Sequence, residues 1–254
     1  MHWIRFERAG QTGFGTLHDG VIRIHEGNMF EDGRATNDTV PLADVTLLTP
    51  CVPTKMFALW NNYHALAAKL NLTPPPEPLY LLKAPNSFLA GGQTIRVPAS
   101  YPGKVVYEGE LGVVIGKRAA NVSESEAPQY IFGYTCINDV TAAEIIQKDP
   151  TFSQWTRAKG FDSFGVFGPV IATDVNPLDL HVKTLLDGKE RQNYPVSDMV
   201  FKPAQIVSLI SRDMTLYPGD VICCGTSVGV GSMKPGSKVE IVIDGIGTLS
   251  NEYK

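Results

Sequence analysis

The sequence predicts a β-rich α+β protein, and three observations carry that expectation. Short apolar or alternating runs recur along the chain, spaced by Gly, Pro and Asp-Gly turns. Segments with helical spacing are few. The regular strand–helix alternation of a doubly wound sheet or a β/α barrel is missing.

Residues 1–50 read as a small N-terminal β domain. Within it, GFGTLHDGVIRIHEG (13–27) places a His-Asp-Gly turn between two alternating runs, a hairpin pattern. After a polar stretch from Glu31 to Asn37 the chain turns apolar at Val45–Leu48, and Pro50 and Pro53 stiffen the connection to a second unit, residues 51–254. Tyr63, Leu66, Ala67 and Leu70 then follow helical spacing, with Asn61 or Asn62 as the cap and Pro74, Pro75, Pro76 and Pro78 as the stop. This segment is either a lid over a site or an ordinary surface helix.

The remainder reads mostly as strands: LYLLK at 79–83, TIRVP at 94–98, VVYEGELGVVIG at 105–116 and FGYTCIN at 132–138. LHVKTLL at 180–186, DVICCG at 220–225, KVEIVI at 238–243 and GIGTLSN at 245–251 complete the set. Asp187-Gly188 and Asp244-Gly245 fall at hairpin positions, and Pro218-Gly219 has the pattern of a type II turn. Helices are expected near Glu124–Ile131, behind a Ser123…Glu126 capping box, at TAAEIIQK (141–148), and at Pro203–Ser211 with proline in the first turn.

Composition narrows the function classes. The 254 residues are 43% hydrophobic and 19% charged, which excludes wholesale disorder. A net charge of −4, from 22 basic and 26 acidic residues, argues against a nucleic-acid binder or a polybasic membrane-surface protein. No apolar run approaches the ~20 residues that span a bilayer. Arg5, Glu7 and Arg8 interrupt any signal-peptide pattern, so a cytoplasmic protein is expected. Cys51, Cys136, Cys223 and Cys224 have no metal-binding spacing and read as buried, inert thiols.

The most informative stretch is VVYEGELGVVIG. On one strand, Glu108 and Glu110 share a face, roughly 7 Å apart along the chain, and Gly109 leaves the backbone open to close approach. The two acids are either solvent-exposed, paired with Lys or Arg, a glycosidase pair, or ligands for a hard divalent cation. The apolar run around them favours burial, and burial favours the cation. Asp139 follows FGYTCIN and either caps the next helix or joins the two glutamates. With no His or Cys nearby, Mg²⁺ or Mn²⁺ is favoured over zinc. Lys159, amid RAKGFDSF, suits a substrate carboxylate or an enolate. The glycine-rich 225–231 loop, with Thr226 and Ser227, either wraps a small carboxylate or is a tight connection; it is not a P-loop.

In combination these pieces resemble the fumarylacetoacetate hydrolase superfamily. The motifs are Asn62-Tyr63, KAPNSF (83–88), YEGELGVVIGK (107–117), GYTCINDVT (133–141), RAKGFDSFGVFGP (157–169), LDGKERQ (186–192), DMVF (198–201) and LYPGDVICCGTSVGVG (216–231). The resemblance implies a rolled, sandwich-like β fold and a homodimer. It implies Mg²⁺ or Mn²⁺, with Ca²⁺ a substitute in crystals, held by Glu108, Glu110 and Asp139, where it chelates a 2-oxo-carboxylate substrate. Lys159 is implied as catalytic, and Thr226, Gln192, Tyr63 and Lys83 as substrate-binding.

One departure bears on the reaction. Hydrolase members carry a His–Glu dyad on the lid helix, in the register N-Y-x-x-H-x-x-E. Here Leu66 and Lys69 occupy those places, and His64, a second catalytic candidate, stands two positions early. Decarboxylation or enol–keto isomerisation of a small 2-oxo diacid, of the 2-hydroxymuconate type met in aromatic degradation, is therefore the expected activity. The alternative is an acylpyruvate-type C–C hydrolase that uses a displaced His64 with Glu77. A non-catalytic binding module is the third reading, opposed by the intact acidic set.

Overall fold

The computed structural model describes every residue from Met1 to Lys254. In chain order the main strands are β1 (His2–Arg8), β2 (Gln11–His18), β3 (Val21–Glu26), β4 (Arg34–Pro41), β5 (Met56–Trp60), β6 (Leu79–Lys83), β7 (Val105–Tyr107) and β8 (Gly109–Ile115). They continue with β9 (Ile131–Asp139), β10 (Gly165–Ala172), β11 (His181–Leu186), β12 (Lys189–Pro195), β13 (Val221–Cys223), β14 (Lys238–Ile243) and β15 (Gly247–Tyr253). Three short helices interrupt them: α1 (His64–Leu70), α2 (Trp155–Lys159) and α3 (Pro203–Asp213).

A central sheet of twelve strands has the main order β4-β3-β2-β1-β10-β9-β8-β13-β5-β6. Its N-terminal part is a meander. Asp19 and Gly20 both take positive φ, 47° and 76°, so the expected hairpin closes on a tight primed turn. His2 and Trp3 then pair with Ala172 and Ile171 of β10. Residues 1–41 therefore extend the central sheet and form no separate one.

A second sheet, β12-β11-β14-β15 with Thr94–Ile95 at its edge, lies against β8, β9 and β10. This gives the sandwich. Strand β8 is buried along its whole length because both of its faces are covered. Leu111, Val113 and Ile115 point into the larger core with Ile241 and Val182, while Val114 points the other way, toward Met56, Phe167 and Val221. Each such side chain contributes about 1.5–3 kcal/mol of burial, which fixes the register of β8.

The register matters at Gly109. A Cβ there would fall 2.1 Å from Thr184 Oγ1 of the facing sheet, so only glycine fits.

Four local expectations are corrected. The run 105–116 is two strands, not one: β7 joins a small sheet with Thr141–Ala142 and Gly231–Ser232, and β8 joins the central sheet. The break falls at Glu108, whose N–H donates to Asn138 Oδ1 at 3.1 Å and whose carbonyl accepts from Asp139 N–H. TAAEIIQK is a two-residue strand followed by a single 3₁₀ turn, Ala143–Ile145, because Thr141 and Ala142 pair with β7. The 124–131 segment holds only a 3₁₀ turn, Ala127–Tyr130, although Ser123 does bond Glu126. Finally, α1 is capped by Tyr63 in an extended conformation and not by an asparagine side chain. Asn62 is engaged elsewhere: it accepts from Phe201 N–H and donates to the Cys224 carbonyl. The helix stops at Asn71 in the left-handed region, before the prolines.

Candidate metal centre and substrate cavity

Glu108, Glu110 and Asp139 converge, with one carboxylate oxygen from each within 4.8 Å of the others. The β7–β8 break and the end of β9 produce this. Glu108 sits at the crossover, Glu110 is the second residue of β8, and Asp139 ends β9, where Gly109 pairs with Asn138. Asp139 is not a helix cap.

Three carboxylates in a buried place require compensation. Two lysines provide part of it. Lys159 Nζ lies 2.6 Å from Asp139 Oδ2, 3.0 Å from Glu108 Oε1 and 2.7 Å from Thr141 Oγ1. Lys83 Nζ lies 2.5 Å from Asp139 Oδ1 and 2.8 Å from the Lys159 carbonyl. Burial opposes the charged form of Asp139, yet Lys159 and Lys83 hold its carboxyl below the usual range. Burial likewise works against the Lys159 ammonium, and the three acids outweigh it and raise its pKa.

Glu110 is different. Burial, and after it Asp139 and Glu108, push its carboxyl well above the usual range. Its Oε2 accepts from Gly225 N–H at 2.8 Å, whereas Oε1 is buried with no hydrogen-bond partner. Two ammonium groups face three acids, and the unpartnered oxygen belongs to the acid that lacks a lysine. A hard divalent cation fits this set: the donors are all carboxylate oxygens, each with a lone pair to spare.

The glycine-rich loop after β13 is tied to β8 through Gln192. Its Oε1 accepts from Gly109 N–H at 3.0 Å and Thr184 Oγ1 at 2.8 Å, and its Nε2 donates to Thr226 Oγ1 at 2.9 Å. Thr226 in turn donates to the Gly109 carbonyl at 2.9 Å. Gln192 is therefore a buried clamp, with Thr226 between it and the open space.

That space is a cavity of about 270 Å³ lined by Trp60, Leu66, Lys69, Leu70, Glu108, Thr226, Gly229 and Val230. Of the residues singled out in the sequence as catalytic or substrate-binding, only Thr226 lines it. Lys159 and Lys83 lie behind it, on the acids. Tyr63 is fully buried, edge-on to Tyr194 with ring centroids 4.9 Å apart, and its hydroxyl has no partner. His64 is the exposed first residue of α1 and does not line the cavity.

Residues that sequence reasoning missed are Thr141, Asn138 and Thr184. Thr141 Oγ1 donates to Glu108 Oε1 at 2.6 Å. The only available signal was its place two residues beyond Asp139.

The chain belongs to the fumarylacetoacetate hydrolase family: residues 55–253 match the model of its C-terminal domain. Residues 1–50 match a second one, the Rv2993c-like N-terminal domain. An uncharacterized protein of Archaeoglobus fulgidus is 43% identical over 232 residues, 90% of this chain and 91% of its own length. The 4-hydroxyphenylacetate degradation bifunctional isomerase/decarboxylase of Salmonella dublin is 38% identical over 93% of this chain, which spans 54% of that relative. The oxaloacetate tautomerase YisK of Bacillus subtilis is 32% identical over 90% of this chain and 81% of its own.

Among solved structures, the 2-hydroxyhepta-2,4-diene-1,7-dioate isomerase of Mycobacterium marinum superposes with a TM-score of 0.91 at 36% identity, covering 100% of this chain and 98% of that one. The maleylpyruvate hydrolase of Sphingobium sp. SYK-6, in complex with manganese(II) and pyruvate, has a TM-score of 0.81 at 25% identity over 100% and 98% of the two chains. The family is thus one of enzymes, with isomerase, decarboxylase, tautomerase and hydrolase members.

Proposed function

We propose that the protein is a Mg²⁺- or Mn²⁺-dependent enzyme that decarboxylates or isomerises a small 2-oxo diacid. One observation carries this reading: α1 lines the cavity beside Glu108 and Thr226 with Leu66 and Lys69. It brings no acid–base pair there.

Glu108, Glu110 and Asp139 would hold the ion, and the unpartnered Glu110 Oε1 supports their doing so. Bound there, the ion supplies Lewis-acid polarisation to a 2-oxo acid. The chain's own groups do the rest. Lys159 keeps Asp139 ionised, bridges it to Glu108 and holds a fixed positive charge behind the three acids. Thr226, held by Gln192, lines the cavity, and on binding it turns its hydroxyl proton from the Gly109 carbonyl to the substrate's carboxylate end. Trp60, Leu66, Leu70 and Val230 give the rest of the cavity an apolar wall.

Hydrolysis needs a base within hydrogen-bond reach of the attacking water, and His64 is exposed outside the cavity. Aromatic-compound catabolism as the setting is supported by the name of the Salmonella dublin relative, and the proposal includes a homodimer.

The test is kcat/KM with Mg²⁺ on two substrate sets, in wild type and His64→Ala. Oxaloacetate or a muconate-derived oxo-diacid should turn over faster than acetylpyruvate or fumarylpyruvate, and His64→Ala should keep most of that rate. Faster acylpyruvate cleavage that collapses in His64→Ala would overturn the proposal in favour of a hydrolase.

A further inference from the structure

Lys69 is the cavity's only basic lining residue. It projects from the last turn of α1, is exposed, and forms no ion pair. The cavity's one carboxylate, Glu108, is already held by Lys159 and Thr141, so it makes no demand on Lys69. Glu108 is half-buried and Thr226 buried, which sets them at the floor and Lys69 at the mouth. Trp60, Leu66, Leu70 and Val230 form an apolar wall around the same space. The lining thus has a polar floor, an apolar wall and a single unpaired cation.

We propose that Lys69 is the specificity-determining residue that receives the second, distal carboxylate of the substrate. This rests on the 2-oxo acid reading above and deepens it. A 2-oxo monoacid presents its only carboxylate to the ion that the three acids would hold, and the wall suffices for its other end. A diacid places a second anion against that wall, where an unpaired charge is costly. The lysine's flexible four-carbon stem lets its ammonium meet that anion while the stem covers Leu66 and Leu70. A cation at the mouth also raises the encounter rate of a dianion over a monoanion. Leucine and lysine at these two places of α1 thus make a diacid filter from a lid that carries no acid–base pair.

The test is calorimetric titration of the Mg²⁺-loaded protein with 2-oxoglutarate, a diacid, and with 2-oxobutyrate, a shorter monoacid that lacks the distal carboxylate. Wild type should bind the diacid about tenfold more tightly, the size of one partly exposed charge-assisted contact. Lys69→Met should abolish that preference and leave the 2-oxobutyrate Kd unchanged, whereas Lys69→Arg should keep part of it. Lys69 is exposed on a helix surface, so neither variant endangers folding. A wild-type preference that survives in Lys69→Met, or no preference in wild type, overturns the assignment and leaves the 2-oxo acid reading standing. Wild type that binds neither compound overturns both.

Discussion

Lys83 and Asp139 form an ion pair in which both side chains are essentially removed from solvent, at 0% and 1% exposure. Lys83 ends β6 at the far edge of the central sheet order and Asp139 ends β9, so the pair ties that edge to the strand that carries one acid of the candidate metal centre. It leaves Lys159 free to bridge Asp139 to Glu108.

Removing Lys83 leaves Asp139 Oδ1 without its buried ammonium, while Oδ2 keeps Lys159. Lys83→Met should cost about 3 kcal/mol, the usual scale for breaking a buried pair from one side. Urea unfolding of the metal-free protein measures it, and a loss below about 1 kcal/mol would show that Lys159 alone suffices to neutralise Asp139.

Gly109 should tolerate no side chain while Thr184 faces it. Gly109→Ala places a Cβ 2.1 Å from Thr184 Oγ1 and 3.1 Å from Gln192 Oε1, and should destabilise the protein by about 3 kcal/mol or more. Thr184→Ala removes the nearer atom, so the double variant should lose at least about 1 kcal/mol less than the sum of the singles. Strict additivity would mean that the clash is relieved elsewhere.

How far the sequence disclosed this centre differs from residue to residue. Glu108 and Glu110 were legible as a pair because two acids in an apolar run have few stable solutions, Asp139 joined them only through the family resemblance, and Asp19-Gly20 and Asp187-Gly188 were legible because such dipeptides accept positive φ. The break at Glu108 was not, since it depends on the Asn138 side chain taking a backbone N–H that a continuous strand would have paired. Lys83 is 56 positions from Asp139, and no local pattern reports such a meeting. TAAEIIQK has good helical composition, and pairing with β7 overrides it. Gln192, picked out as a substrate residue, has its amide engaged by Gly109, Thr184 and Thr226, which only the packed sandwich reveals.

The cysteines should be inert in the native state. All four are buried; burial raises the Cys136 thiol to about 12 and pushes Cys51, Cys223 and Cys224 higher than ordinary thiols. The reactive thiolate is therefore scarce at any pH below the ordinary thiol range. Iodoacetamide at pH 8 should label none of them in the folded protein and all four in denaturant, as read by mass spectrometry. One native adduct would contradict the assignment of that residue as structural.

The acidic triad is tested most directly by Mn²⁺ binding to the metal-free protein, followed by electron paramagnetic resonance, in wild type and Glu110→Gln. The glutamine keeps an acceptor for Gly225 N–H and removes the carboxylate with the orphaned oxygen, so the fold should persist with an unchanged or higher Tm. Wild type should bind one Mn²⁺ per chain, and Glu110→Gln should bind it more weakly by over about a hundredfold, beyond the cost of losing an outer partner. Mn²⁺ binding of equal affinity in the two proteins, with both folded, would contradict the metal centre.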